Sequence, residues 1–371
     1  MAARPKSRTA NPARSRERGG SALRPAVRTF GASGTDYTIE WDVRPAYDFL
    51  FSLSGDAGST DDLPAADRRW LADALASLPE AVGASVGRLF ANEVCAHLAV
   101  LLVDRPEVRT ADQLVEAVEG TSVDDMIRMM YSWAFREPEL AQALDRFLAG
   151  DGTLADLEAH LPEHKRDYHR PVLEDRERTH RESIVVLRSW ADVFRPIEPR
   201  IASILERDHD LRAGDRATLM GPDLIERTTG GIRWLPEAGV KRVILAPSYF
   251  TRPYNFLFEG EGWRFFGYPV ADDALDGDDP LAPTPSVMRL HRALGDETRL
   301  RILKLLSKRD LYLTEIAQQL ELSKPTIKHH LAQLRAAGLV TITESGTVVY
   351  YTLRRQRLDD ASTEIKRYLL D

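Results

Sequence analysis

Residues 311–353, LYLTEIAQQLELSKPTIKHHLAQLRAAGLVTITESGTVVYYTL, limit what this chain can fold into more than any other stretch. Apolar residues recur at helical spacing through TEIAQQL and again through 324–337, and Glu321 and Leu322 leave room only for a tight turn between them. Thr314 stands where the first helix wants a cap and Ser323 where the second does. Gly338 follows at a position suited to a left-handed C-terminal residue. The period then drops to two across 340–344 and 347–353, around a turn at Ser345 and Gly346. That is the layout of a winged helix-turn-helix, which sets its second helix in the major groove of DNA.

The second helix is therefore the expected reader. Ile327, Leu331 and Leu334 form its inner stripe, with His330 at the edge. The opposite face carries Pro325, Thr326, Lys328, His329, Ala332 and Gln333. Base contacts come mostly from the N-terminal half of such a helix. Thr326, Lys328 and His329 are thus assigned to the groove floor, and Ser323 and Lys324 to the phosphate backbone, where helix N-terminal N–H groups also bind. Gln333 suits either task. Upstream, 286–294 forms a helix with Val287, Leu290 and Leu294 on one side, ended by Gly295. Asp296 caps the next, with Leu300, Leu303 and Leu306 in a row and Ile302 and Leu305 alongside. In the wing, Tyr350 and Tyr351 point to opposite sides, and the tip is only weakly basic.

Charge is divided unevenly. The net charge of −7 splits into +7 over residues 1–30, −19 over 31–284 and +5 over 285–371. A basic module on an acidic body fits a DNA-contacting domain joined to one that stays off the duplex. Residues 1–35 read as a disordered basic tail that either is simply solvated or adds phosphate contacts. Residues 36–270 read as a mainly helical domain. Ser122 caps an amphipathic stripe running from Val123 to Ala134, Leu140, Leu144, Phe147 and Leu148 repeat the pattern, and a long helix is expected over 172–194, with Ile184, Leu187, Trp190 and Phe194 inward. Short strands are expected at 231–235 and 243–246, with a hairpin over 254–268. The segment 271–285, ADDALDGDDPLAPTP, reads as a linker, and 286–371 as the DNA-binding domain. The fold class is mainly α: a helical N-terminal domain with a small antiparallel β element, then the winged helix.

LGDETRLRILKLL, LTEIAQQLELSKPTIKHHLAQLRAAGLV and VVYYTL, in that order and spacing, resemble the ArsR-type (arsenic-repressor-like) regulators over about 287–354, roughly a fifth of the chain. The resemblance implies a homodimer on a pseudo-palindromic operator in double-stranded DNA, acting as a repressor released by a ligand. It also implies a dimer interface built from 286–294 and 358–370, with Ile365, Leu369 and Leu370 available to pack. The family's metal sensors carry a Cys-Val-Cys triplet where this chain has Tyr312, Leu313 and Thr314, and their alternative site needs histidine, which 358–371 lacks. Metal sensing through either site is not expected.

Elsewhere the chemistry is sparse. Cys95, the single cysteine, reads as a core thiol in a reducing compartment and rules out an internal disulfide. His160, His164 and His169 have tempting spacing, but Pro162 interrupts any shared helix face, and a solvated connector is the reading. PSYFTRPYN at 247–255 suits a pocket lining or a packed loop. No run is long and apolar enough to span a membrane. The expectation is a cytoplasmic transcriptional regulator without cofactor or catalytic residues, whose N-terminal domain senses a non-metal, small-molecule effector or fixes the dimer. The alternatives are an enzyme fused to a DNA-binding tail and a scaffold for dimer or partner contacts.

Overall fold

The computed structural model describes residues 28–370 apart from 33–34, 56, 58–61, 91–96, 276–280 and 346–347. The tail before residue 28, Cys95 and the wing tip at 346–347 lie outside the described residues. The fold is mainly α, with a helical body followed by a winged helix-turn-helix.

The body is built on one sheet: β1 (Arg28–Ala32), β2 (Thr35–Trp41), β4 (Arg242–Ser248), β5 (Phe256–Gly260) and β6 (Trp263–Pro269), in the order β1-β2-β4-β6-β5. The two-residue β3 (Ile232–Arg233) belongs elsewhere. β2, β4 and β6 run parallel and only the edge strands are antiparallel, so the expected antiparallel element is a mixed sheet. The reason lies in Val243–Ala246, a continuous apolar run that only a strand covered on both faces can bury. Ile244, Ala246 and Phe265 pack into the large helical core. Val243, Leu245, Phe266 and Tyr268 point the other way, onto Leu224 and Ile225 of the helix Gly221–Thr229. Two further expectations change here. Arg28–Ala32, read as tail, is an edge strand, and Tyr37, Ile39 and Trp41, read as the start of the helical region, alternate inward on β2.

The helical side is organised by Arg176–Phe194, which buries Val186, Leu187, Trp190 and Phe194. Trp190 satisfies its indole N–H on Ser52 Oγ at 2.8 Å. The helix expected over 172–194 is broken: Asp175 caps Arg178 N at 2.9 Å, and 172–174 belong to the preceding helix Glu163–Glu174. Ser122 caps Val123–Met130 as expected. His169, read as part of a solvated connector, is buried against the rings of Tyr131 and Trp133. The 247–255 stretch does both things expected of it, packing through Tyr249 and Phe250 while Arg252, Pro253 and Asn255 line a cleft. Tyr249 and Phe250 are buried, their amides donate to the buried Asp48 carboxylate at 3.0 Å, and Arg252 turns inward to the carbonyls of Asp62 and Val270.

The winged module has its own core, led by Leu290, Ile302, Ile316, Ile327, Leu331 and Leu334. Its sheet holds β7 (Leu311–Tyr312), β8 (Val340–Ser345) and β9 (Val348–Leu353). β3 of the body adds to the outer edge of β8 in parallel, Ile232 opposite Ile342, so the sheet order is β3-β8-β9-β7. Ile342 is buried with the body residues Ile232, Trp234 and Phe266. The segment read as a linker begins inside this contact. Ala271 N donates to Asp208 at 2.7 Å, Ala274 is buried, and Asp272 pairs with Arg252 and accepts Ser286 N at 2.6 Å.

Buried titrating groups set the pH response of the body. Burial lowers His97 and His169 from 6.5 to about 4, with Lys165 adding repulsion. Stability from both is complete above pH 6.5 and is lost as pH falls through 4, because the unfolded chain then takes up protons the fold refuses. Asp48 opposes them: burial raises it from 3.8 to about 6, so its cost is felt above pH 6 and fades as the pH falls. The two histidines together outweigh Asp48, so stability should fall between pH 7 and pH 4. Urea unfolding at both ends of that range tests this. His169→Gln should shrink the loss, and stability that is flat or rising toward pH 4 would contradict the assignment.

Candidate nucleic-acid interface

The reader helix is Lys324–Ala336, with Ile327, Leu331 and Leu334 buried. It is set by the helix before it, Leu313–Leu320, and by a turn in which Glu321 takes a left-handed φ of 56°. That first helix is not capped by Thr314, as expected, but at Tyr312, whose N–H donates to Glu315 Oε2 at 3.1 Å. Asp296 caps the helix Glu297–Leu306 by accepting Arg299 N at 2.9 Å. That bond, with the nearby Arg299 charge, holds its carboxyl below the usual range. Leu300, placed in the inner row by sequence, is exposed, and Ile302, Leu303 and Leu306 form the buried row. Gly338 adopts φ 69° after the reader, as its position required.

The structure divides the six expected contact residues into two groups. Ser323, Lys324, Thr326, Lys328 and His329 are exposed. Ser323 Oγ accepts Thr326 N at 3.2 Å and meets Thr326 Oγ1 at 2.7 Å, so these two hydroxyls form one polar step at the helix start. Gln333 is half-buried and engaged: Arg299 Nη1 donates to its Oε1 at 2.6 Å, and its Nε2 lies 3.2 Å from His329 Nε2. An amide nitrogen only donates, so this contact places the imidazole proton on Nδ1. Gln333 thus orients His329 and is itself oriented by Arg299, a residue that sequence reasoning had left in the core helix. His330 turns away, with Nδ1 3.7 Å from Asp296.

On the wing, Tyr351 packs on the module's core while Tyr350 is exposed beside Tyr312, an alternation visible in the sequence. Among the described residues there is no group of three metal-ligating side chains, and no helix is long and apolar enough to cross a membrane. The body contains a recess of about 260 Å³ lined by Trp133, Trp234 and Phe266 together with Lys165 and Arg264.

A sequence model of the bacterial regulatory proteins of the arsR family matches residues 296–341. The chain is similar to the HTH-type transcriptional regulator KmtR of Mycobacterium tuberculosis, 34% identical over 87 residues that span 23% of this chain and 67% of KmtR. It is also similar to the transcriptional repressor SdpR of Bacillus subtilis, 37% identical over 70 residues, 19% of this chain and 78% of SdpR. Among solved structures, HlyU of Vibrio cholerae aligns at 31% identity over 23% of this chain and 94% of HlyU, with a TM-score of 0.20. The likeness lies in the C-terminal region.

Ser323 offers a clean test of how the reader is held. Ser323→Ala removes the cap and should cost about 1 kcal/mol. Urea unfolding of the full chain should record that loss, and Ser323→Asp should recover it.

Proposed function

The chain belongs to the arsR family of bacterial regulatory proteins through its C-terminal module, and from that premise we propose that it is a dimeric repressor whose body controls how the reader helices meet DNA. DNA-binding transcriptional regulation is the family's role. The observation that carries the reading is the exposed row from Ser323 to His329, backed by an apolar stripe buried in the module's core.

Roles follow from chemistry. Ser323 and Lys324 sit at the helix N-terminus, where backbone N–H groups and a lysine favour a phosphate. Thr326 and Lys328 face the groove floor. His329, with its proton on Nδ1, presents a donor suited to guanine N7 or O6 or to thymine O4. Repression is supported by SdpR, described as a repressor, whereas HlyU is described as an activator, so the sign rests on operator placement.

Dimerisation is supported by the terminal helix Arg355–Leu370, which among the described residues buries none fully. Leu358, Ile365 and Leu369 recur at seven and four residues and share a face, and Leu369 and Leu370 are 67% and 80% exposed. Two copies pairing through this face would place two readers on a two-fold axis, as a pseudo-palindromic operator requires. The body's role as sensor rather than enzyme or scaffold is supported by the pairing of β3 with β8, which ties the body to the wing beside the reader.

Two measurements test the proposal. Lys328→Ala combined with His329→Ala should remove operator preference, at about 1–3 kcal/mol per lost base contact, while the melting temperature holds because both residues are exposed. Footprinting on DNA selected from random duplexes reads this directly, and retained preference would refute the assignment. Leu369→Lys should shift the protein from dimer to monomer in sedimentation, and an unchanged mass would place the dimer elsewhere.

A further inference from the structure

A cleft of about 540 Å³ lies between the body and the winged module. Among the described residues its wall carries eight arginines against four carboxylates and no aromatic side chain. Most of the arginines are answered locally. Arg212 holds Asp208 through both oxygens at 2.7 and 3.0 Å, and Arg227 meets Asp215 at 3.2 Å. Arg252 and Arg289 share Asp272, and Arg357 pairs with Glu364.

Arg354 is different. Its Nη1 donates to Gly230 O at 2.7 Å and Gly338 O at 3.3 Å, and among the described residues no carboxylate comes within ion-pair distance of it. Burial, reinforced by the neighbouring Arg357 and Arg227 charges, pulls its pKa below the usual arginine value. Glu226 and Asp360 offset this only in part and from a distance, so among the described residues the guanidinium has no direct ionic partner. Two other groups in the same wall are incomplete. Thr228 is 3% exposed and its Oγ1 has no hydrogen-bond partner, nor has Asn255 Oδ1. Buried polar atoms without partners cost free energy, and a ligand is one way to satisfy them.

We propose that this cleft binds a small non-aromatic organic polyanion, a sugar phosphate or a polycarboxylate, through Arg354 and Thr228. The proposal rests on the reading of this chain as an effector-controlled regulator. The volume suits a metabolite-sized ligand, and guanidinium geometry matches carboxylate and phosphate oxygens. The absence of an aromatic surface leaves a nucleobase nothing to stack on.

The position of Arg354 connects occupancy to DNA. Gly230 caps the body helix Gly221–Thr229, and Gly338 lies just past the reader helix, so one guanidinium bridges the chain at the ends of both. Both glycines are in left-handed conformations, and a Cβ at Gly338 would approach Arg354 Nη1 at 3.4 Å. An oxyanion that draws Arg354 into the cleft competes with these carbonyls and alters how the reader's end is held. By linkage, ligand and operator must then change each other's affinity by the same factor.

The test uses the full-length protein with citrate and fructose 1,6-bisphosphate as probes, and ATP and chloride as controls, at matched ionic strength. One of the two polyanions should bind saturably by calorimetry and change operator affinity by about fivefold or more. Thr228→Val, which breaks no existing side-chain hydrogen bond of the hydroxyl, and Arg354→Lys should each weaken binding by about tenfold. Citrate binding alone would identify the polycarboxylate class, and bisphosphate binding alone the sugar phosphate. Neither probe binding above chloride, ATP binding as tightly, or both variants binding like wild type would overturn the proposal. Operator binding without any anion response would sink the cleft and spare the regulator. Anion binding without operator binding would do the reverse.

Discussion

A hairpin wing leaves one strand edge that its own module does not satisfy, and in this protein the body supplies the missing partner. β3 pairs with β8 through Ile232 and Ile342, and Ile342 N donates to Gly231 O at 2.9 Å. Backbone pairing fixes register and direction, and the burial of Ile342 among Trp234 and Phe266 fixes the face. A side-chain contact alone would allow the module to pivot, whereas a strand addition does not. The polar contacts follow from this placement. Arg289 reaches Asp62 and Asp272 only because the first helix of the module already lies against the body.

The same constraint explains why the Asp/Pro-rich segment is not a free spacer at its start. Asp272 is answered by Arg252 and by Ser286 N, and Asp208 bonds both Arg212 and Ala271 N. Asp272 lies in a wall rich in guanidinium groups, and at both carboxylates solvation has been replaced by fixed donors. Body and module therefore behave as neighbours joined by a strand, a cation cluster and one shared arginine at two helix ends.

How much of this was legible in the sequence follows the range of the interactions. Asp296, Ser323 and Gly338 were identified because caps are local: the side chain and its target lie within three residues. Ile327, Leu331 and Leu334 were identified because a helical stripe declares its own period. Thr314 was misplaced by two residues, since Glu315 reaching back to Tyr312 serves the helix start as well as a hydroxyl does. Strand β2 carried an alternating signal in Tyr37, Ile39 and Trp41, but the strand that ties it into the body's sheet begins at Arg242, some two hundred residues away. The Asp272 contacts and the role of Arg354 carried no local signal, because a charge reads as solvated until its partners are known. Of the six residues placed at the DNA face, five were recognisable by exposure on a helix wheel. The engagement of Gln333 by Arg299 depends on a tertiary contact between two helices.

The acidic body would seem an unfit neighbour for a DNA reader, since 31–284 carries −19. Geometry removes the conflict. The body holds the reader at its C-terminal end, around Gly338, through Arg354. Thirteen helical residues separate that end from Lys324, about 20 Å at 1.5 Å per residue. At physiological ionic strength the screening length is about 8 Å, so carboxylates near Gly338 act only weakly at Ser323 and Lys324. A mechanical link has no such decay. A shift imposed on the last turn of a rigid helix reaches its first turn undiminished. Attachment at the far end thus spares the first turn of the helix the body's charge while tying its last turn mechanically to the body.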